Sequence, residues 1–342
     1  MAYRPPTGQR KPLSDEAKAK IAEAIRQKAI QKRIEMGLPE TPTFSPKEPQ
    51  VFTDKPIELV RMKDQSFSDD LFVPMKTGKP IDLLFTEEGG IPKACNFILI
   101  GDPGVGKSTV SLDILSDLAL SGHKVLFICA EMTRIDLYGY VKRYPKFGEV
   151  DILFTGEYCE SNPKTIIENT LDSGYDVVLI DSFAEVQGDI KDTLKMSTSE
   201  SEKWLIDLMV AHNLGDNDSK KNTTFIAIQQ VTKGGVFVGS NKIKHNTTGM
   251  IELRFEPDSG TQYIFFSKNR RGSIGKRMFY SLATTGDVEY DVKRFGNDEN
   301  AREALSIERQ IIESEDETFT RLIFGEDGDM STETILSGEN NL

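Results

Sequence analysis

The chain has little of what disulfide-stapled or metal-built proteins rely on: 3 cysteines, 3 histidines and 1 tryptophan in 342 residues. Cys95, Cys129 and Cys159 are widely spaced, and two of them sit in apolar stretches, ACNFILI and LFICAEM. Buried reduced thiols are therefore expected, not a disulfide or zinc framework. His123 follows Gly122 and reads as a cap or surface residue, and His212 shares a helical pattern with Trp204, Leu205, Leu208 and Met209 and reads as packing. No Ser/His/Asp or Cys/His arrangement stands out. Nowhere does an apolar run approach the roughly 18 residues needed to cross a bilayer. The amino-terminal MAYRPPTGQRKP lacks the apolar segment of a signal peptide, so a cytoplasmic protein without a membrane partner is expected.

Basic charge is also short overall, with 42 Lys and Arg against 54 Asp and Glu and a net charge of -12. The deficit is local. Residues 287–342 hold 16 acids and 5 bases, which leaves residues 1–286 at only -1. Net charge therefore does not exclude a polyanionic partner, provided that a local basic surface exists.

Three regions follow from the pattern. Residues 1–50 hold a basic amphipathic helix, LSDEAKAKIAEAIRQKAIQKRIEM (13–36), then a proline-rich linker, LPETPTFSPKEPQ. The helix is either solvated on a tether or a docking arm for a neighbouring subunit or nucleic acid. Residues 51–290 are the core. NFILI, KVLFICA, VDILFTG, YDVVLID and TTFIAIQQ alternate with helical segments, which predicts a mainly parallel α/β sheet. MIELRFEP, QYIFFSKN and MFYSL lie close together and predict antiparallel strands at one edge. Residues 291–342 form an acidic tail with one short helical pattern, NAREALSIERQIIES, and are expected to be mobile.

The strongest motif is NFILI-GDPGVGKST-VSLDILSDLAL, a strand, a glycine-rich turn and a helix. Gly101, Asp102, Pro103, Gly104, Val105, Gly106, Lys107, Ser108 and Thr109 form a phosphate-binding loop whose backbone N–H groups and following helix end attract an anion. Lys107 is expected on the β- and γ-phosphates of ATP, and the Ser108 hydroxyl on Mg²⁺. YDVVLID ends on Asp181, a second magnesium ligand, and KVLFICAE ends on Glu131, a general base for water. TTFIAIQQ ends on paired amides, of which Gln230 is placed to sense the γ-phosphate.

These residues resemble the RecA superfamily of P-loop ATPases, most closely RadA/Sms-type recombination ATPases, with DnaB-type hexameric helicases as near relatives. EEGGIPKACNFILIGDPGVGKST is similar to the RadA entry and Walker A segment, VVLIDS to its Walker B, QQVTKGG to its sensor stretch, and SKNRRGSIGK to its KNRFG signature. The resemblance covers about residues 78–290. It implies a RecA-like fold and a homo-oligomer, ring or filament, in which Lys268 and Arg270 act on the nucleotide of a neighbouring subunit.

The chain departs from RadA in having no four-cysteine motif before the core and too few residues after it for a Lon-like domain. It also lacks a DnaB-like amino-terminal domain. These departures suggest a minimal motor of the sort that phages and mobile elements carry.

The resemblance places single-stranded DNA on two loops. VTKGGVFVGSNKIKHNTTG is rich in base, with Lys233, Lys242, Lys244 and His245 and no acid; AEVQGDIKDTLKMSTSE offers Lys191 and Lys195 among acids. Only Phe237 is available there for base stacking. The leading expectation is a DNA-dependent ATPase for recombination, repair or replication, working by branch migration, strand exchange or unwinding alongside other proteins of those pathways. A replicative helicase, or a KaiC-type regulatory ATPase that binds protein partners, are the alternatives.

Overall fold

A computed structural model describes residues 59–300, apart from 159, 231–242, 244, 245, 284 and 285, together with residue 302 and scattered positions between 20 and 34. It separates into two compact units, residues 1–65 and 66–342. In the first unit the described positions between 20 and 34 are helical, and Gln27 Nε2 donates to Glu23 Oε1 at 2.9 Å, one helical turn apart. The linker at 37–50 and the tail from 303 lie outside the described residues, as does Cys159.

The second unit is built on a nine-stranded sheet in the order β3-β2-β4-β5-β1-β6-β7-β8-β9. Its strands are β1 (Asn96–Gly101), β2 (Val125–Cys129), β3 (Asp151–Phe154), β4 (Val177–Asp181), β5 (Thr224–Ile228), β6 (Gly249–Phe255), β7 (Gln262–Asn269), β8 (Arg277–Leu282) and β9 (Val288–Asp291). Helices α1 (Lys107–Leu120), α2 (Arg134–Arg143), α3 (Pro163–Leu171), α4 (Phe183–Thr193) and α5 (Thr198–Leu214) cover it. β1, β2, β4 and β5 are buried along their whole length, which is why they read as unbroken apolar runs. α1 and α2 pack with residues 75–91 on one face, and α3, α4 and α5 on the other.

The order is that of a RecA-like P-loop fold, mainly parallel with an antiparallel extension. Two details differ from the sequence expectation. β6 pairs in parallel with β1, so the antiparallel part starts only at β7 and gains a ninth strand, β9. A parallel return needs a long crossover, and the segment between Ile228 and Gly249 supplies one. In addition, AEVQGDIKDTLKMSTSE is not a loop. It forms most of α4, including Lys191, and the turn through Lys195 into α5. Ser182 caps α4 by accepting from the Glu185 N–H, and Phe183, Val186 and Ile190 turn one apolar face inward.

Phe85, Phe97 and Phe266 meet edge to face with centroids 5.2–5.8 Å apart, tying residue 85 to β1 and β7. His212 is buried edge-on against Phe225, as a packing residue would be. Cys95 and Cys129 are buried and free.

Behind α1 lies an ionic cluster, buried at Asp113 and Asp117 and open to solvent at Asp287. Lys146 Nζ is 2.6 Å from Asp113, 2.7 Å from Asp117 and 2.8 Å from Asp287, and Lys79 Nζ reaches the same three carboxylates at 3.0–3.3 Å. Burial works to lower the pKa of Lys146, but its three carboxylate partners outweigh that and raise it. Asp113 also accepts the Val288 N–H at 3.2 Å, so one fully buried side chain fastens α1 to β9. Removing one cation from such a cluster leaves buried negative charge with too little compensation. Lys146→Met is therefore expected to lower the unfolding free energy by about 3 kcal/mol, read from the urea midpoint; an unchanged midpoint would mean that the cluster does not hold α1.

Candidate functional site

The carboxyl ends of β1, β2, β4 and β5 open into a cleft of about 510 Å³ that contains the phosphate-loop residues, Glu131, Asp181 and Gln230. Gly101 ends β1 because a Cβ there would meet the Leu253 carbonyl oxygen at 2.5 Å. Gly104 and Gly106 turn the loop with φ of 77° and 95°, values open to glycine. A Cβ on Gly106 would also strike Leu282 at 2.5 Å. α1 then starts at Lys107 with its free N–H groups at the cleft.

Lys107 Nζ donates to the carbonyl oxygens of Gly101 at 3.1 Å and Asp102 at 3.2 Å. Burial lowers its pKa, with Asp181, Asp102 and Glu131 opposing that effect and Arg254 adding to it. Ser108 Oγ donates to Asp181 Oδ2 at 2.6 Å. β2 and β4 are neighbours in register, Cys129 opposite Asp181, so Asp181 ends β4 while Glu131 lies two residues beyond the end of β2. Glu131 is exposed in the cleft and accepts from Gln230 Nε2 at 3.1 Å. Asp181 is only 2% exposed, and burial pushes its carboxyl up to about 6, Ser108 opposing and Glu131 reinforcing the shift. The Asp181–Ser182 peptide is cis.

Several residues that sequence reasoning missed hold the loop from β6, β7 and β8. Arg254 on β6 donates Nη1 to Asp102 Oδ1 at 2.8 Å, and the Phe255 N–H reaches Asp102 Oδ2 at 3.3 Å. Tyr280 Oη and Gln262 Nε2 donate to the Val105 carbonyl at 2.7 and 3.2 Å. Tyr140 on α2 and Leu282 on β8 line the same cleft beside the loop. The one sequence signal for Arg254 is a charged pair, Glu252 and Arg254, inside an otherwise apolar strand.

Lys268 and Arg270 are not brought to this cleft. Lys268 is paired with Met250, which is level with Ile98 on β1, and the Arg270 N–H donates to the Thr248 carbonyl beyond the start of β6. Lys268 therefore stands three strand positions before Gly101, about 10 Å along the sheet on the side away from the phosphate loop. Asn269 Nδ2 pins the turn after β7 to the Phe85 carbonyl at 3.0 Å. Lys233, Lys242, Lys244 and His245 lie outside the described residues, as does Phe237. Ile243, within the same segment, is buried beside Ile98, Phe183 and Met209.

Searched against protein-family models, the chain matches none. Among curated proteins it is similar to the DNA repair protein RadA of Chlamydia trachomatis, 26% identical over 248 residues, 72% of this chain and 49% of that one. RadA of Chlamydia muridarum is 30% identical over 191 residues, 55% of this chain and 39% of that one. RadA of Aquifex aeolicus is 24% identical over 198 residues, 58% and 42% of the two chains. The chain thus spans less than half the length of these relatives. Among solved structures it is similar to a KaiC-like protein of Pyrococcus horikoshii, with a TM-score of 0.47, 17% identity and 64% of this chain and 99% of that one covered. The flagellar accessory protein FlaH of Methanocaldococcus jannaschii has a TM-score of 0.42 and 12% identity, with 60% and 92% covered.

The raised pKa of Asp181 has a consequence for stability. Below about pH 3.8 the carboxyl is protonated in both folded and unfolded chains; above about 6 it is ionised in both, and the folded state bears the cost of a buried charge. Asp181→Asn is therefore expected to stabilise the nucleotide-free, magnesium-free protein at pH 8, by at most about 3 kcal/mol, with the gain shrinking through this window and gone by pH 4. Thermal unfolding at the two pH values measures it, and no gain at pH 8 would contradict the burial argument.

Proposed function

We propose that the chain, which is similar in sequence to bacterial RadA proteins and has a mainly parallel sheet with a phosphate loop after β1, is a P-loop ATPase of the RecA superfamily, working as an oligomeric ATP-driven motor on single-stranded DNA in recombination or repair. The observation that carries the proposal is the meeting in one cleft of the phosphate loop, the Ser108–Asp181 pair and the Glu131–Gln230 pair.

Each group has a role in phosphoryl transfer. The loop N–H groups and Lys107 hold the β- and γ-phosphates, Lys107 exchanging its carbonyl partners for phosphate oxygens. Ser108 and Asp181 present hard oxygen donors 2.6 Å apart, a pair suited to Mg²⁺, which takes few protein ligands and completes its shell with phosphate and water. Mg²⁺ bound there would offset charge on the phosphates, and it would hold Asp181 in its ionised form. Glu131 takes the proton of the attacking water as its oxygen bonds to the γ-phosphorus and the bridge to the β-phosphate breaks. Gln230 bonds Glu131 and directly precedes the segment 231–248, so a change at the γ-phosphate is passed to that segment. Tyr140 and Leu282 form the wall against which the base of the nucleotide rests.

Lys233, Lys242, Lys244 and His245 are the proposed contacts to the DNA backbone, with little sequence preference. Lys268 and Arg270 are proposed to complete the cleft of a neighbouring copy, a reading supported by their distance from the phosphate loop of their own chain.

The test is ATP turnover with and without single-stranded DNA. DNA is expected to stimulate the parent. Lys107→Ala and Lys268→Ala are each expected to lose about 100-fold or more. In mixtures, Lys268→Ala subunits are expected to depress their neighbours below the additive value. Turnover that is indifferent to DNA would point to a regulatory ATPase, and strictly additive mixtures would refute the shared site.

A further inference from the structure

The phosphate loop carries an electrostatic anomaly. Asp102 places a carboxylate, two-thirds shielded from solvent, in the turn proposed to hold a polyanion. An ionised carboxylate in the same turn opposes the binding of a triphosphate to that turn.

The structure shows how that charge is met. Arg254 Nη1 donates to Asp102 Oδ1 at 2.8 Å, while Nε and Nη2 donate to Glu252 Oε2 at 3.1 and 2.7 Å. Glu252 therefore occupies one side of the guanidinium and turns its remaining nitrogen toward the loop. The Phe255 N–H supplies a second donor to Asp102, at 3.3 Å, and the Asp102 N–H is fixed by the Leu253 carbonyl at 3.2 Å. Arg254 is mostly shielded from water, with a side-chain exposure of 20%, so the pair is screened less than a surface ion pair. On its other side Asp102 gives its carbonyl oxygen to Lys107. The guanidinium, the loop carboxylate and the phosphate-binding ammonium thus form one continuous chain of contacts.

We infer that Arg254 is a positioning residue for the nucleotide: it offsets the charge of Asp102 and fixes the first turn of the phosphate loop, so that Lys107 can leave the Gly101 and Asp102 carbonyls for phosphate without exposing the incoming anion to an unpaired carboxylate. This rests on the cleft's being a nucleotide site. Arg254 does not touch phosphate in this scheme. Its effect is carried through Asp102, and the acid and the base are meaningful only together.

Charge compensation gives the test its sharpness. Affinities for Mg-ATP are measured by titration calorimetry, with steady-state turnover in parallel, for the parent, Arg254→Met, Arg254→Lys, Asp102→Asn and the double variant with Arg254→Met and Asp102→Asn. Arg254→Met is expected to weaken ATP binding and raise KM about tenfold, with kcat changed less than about threefold because the reacting groups are untouched. Arg254→Lys keeps the charge and is expected to stay within about threefold of the parent.

Adding Asp102→Asn to Arg254→Met is expected to recover most of the affinity, and the deficit of Arg254→Met is expected to shrink as salt is raised. An Arg254→Met protein that binds ATP within twofold of the parent would overturn the inference. So would an equal loss in the Asp102→Asn background, which would make Arg254 a packing residue independent of the loop charge. If Arg254→Met proves unfolded, Arg254→Lys and Asp102→Asn carry the test: a tenfold loss in the former, or in the latter a loss as large as that expected of Arg254→Met, refutes it. A parent that binds no ATP would instead refute the nucleotide reading, and the inference would fall with it.

Discussion

The contact between β1 and β6 at Gly101 and Leu253 governs the site. A side chain on Gly101 would overlap the Leu253 carbonyl, and because it has none, β6 lies close enough for that carbonyl to take the Asp102 N–H. Once the two strands are locked there, the antiparallel extension comes under the phosphate loop. Arg254 meets Asp102, Tyr280 and Gln262 share the Val105 carbonyl, and Leu282 fills the space that Gly106 leaves. The loop is usually described by what precedes and follows it in sequence. Here its shape depends as much on β6, β7 and β8, more than 140 residues downstream.

The same dependence appears on the far face of α1. Asp113 and Asp117 point away from the cleft into the cluster with Lys79, Lys146 and Asp287. That cluster joins the turn before β9 to the P-loop helix, while Tyr144 on the same side donates to the Ala283 carbonyl. The turn between β8 and β9 is therefore fixed at both ends, and Leu282, one wall of the cleft, is fixed with it. Polar groups that touch no reacting atom set the width of the space beside the loop.

The parts of this arrangement that repeat along the chain were legible in the sequence. Fully buried strands read as apolar runs, the glycine-rich turn kept its spacing, and Asp181 ended its strand where the sheet opens, while Glu131 falls two residues past the end of β2. What escaped was set by partners distant in sequence. The direction of β6 depends on a crossover of about 20 residues whose path no local pattern encodes. Arg254 looks like one charge in a strand until Asp102 is beside it, and of the three aspartates around Lys146 two come from α1 and one, Asp287, from the turn before β9. The stretch after β4 looked like a polar loop because its acids and lysines hid Phe183, Val186 and Ile190, spaced to face the core. The basic residues at 233–245 were expected on the strength of resemblance and composition, and they lie outside the described residues.

The position of Lys268 and Arg270 on the strand end opposite the phosphate loop has a consequence for any assembly. A side chain at one end of a sheet can meet the cleft at the other end of a second copy either when copies stack head to tail or when they lie side by side with their strands reversed. A two-fold pairing, in which equivalent ends face each other, would bring cleft to cleft and leave both incomplete. Under the proposal that these residues complete a neighbour's cleft, pairing of like ends is excluded, and the residues that complete a cleft come from the opposite end of the neighbouring sheet.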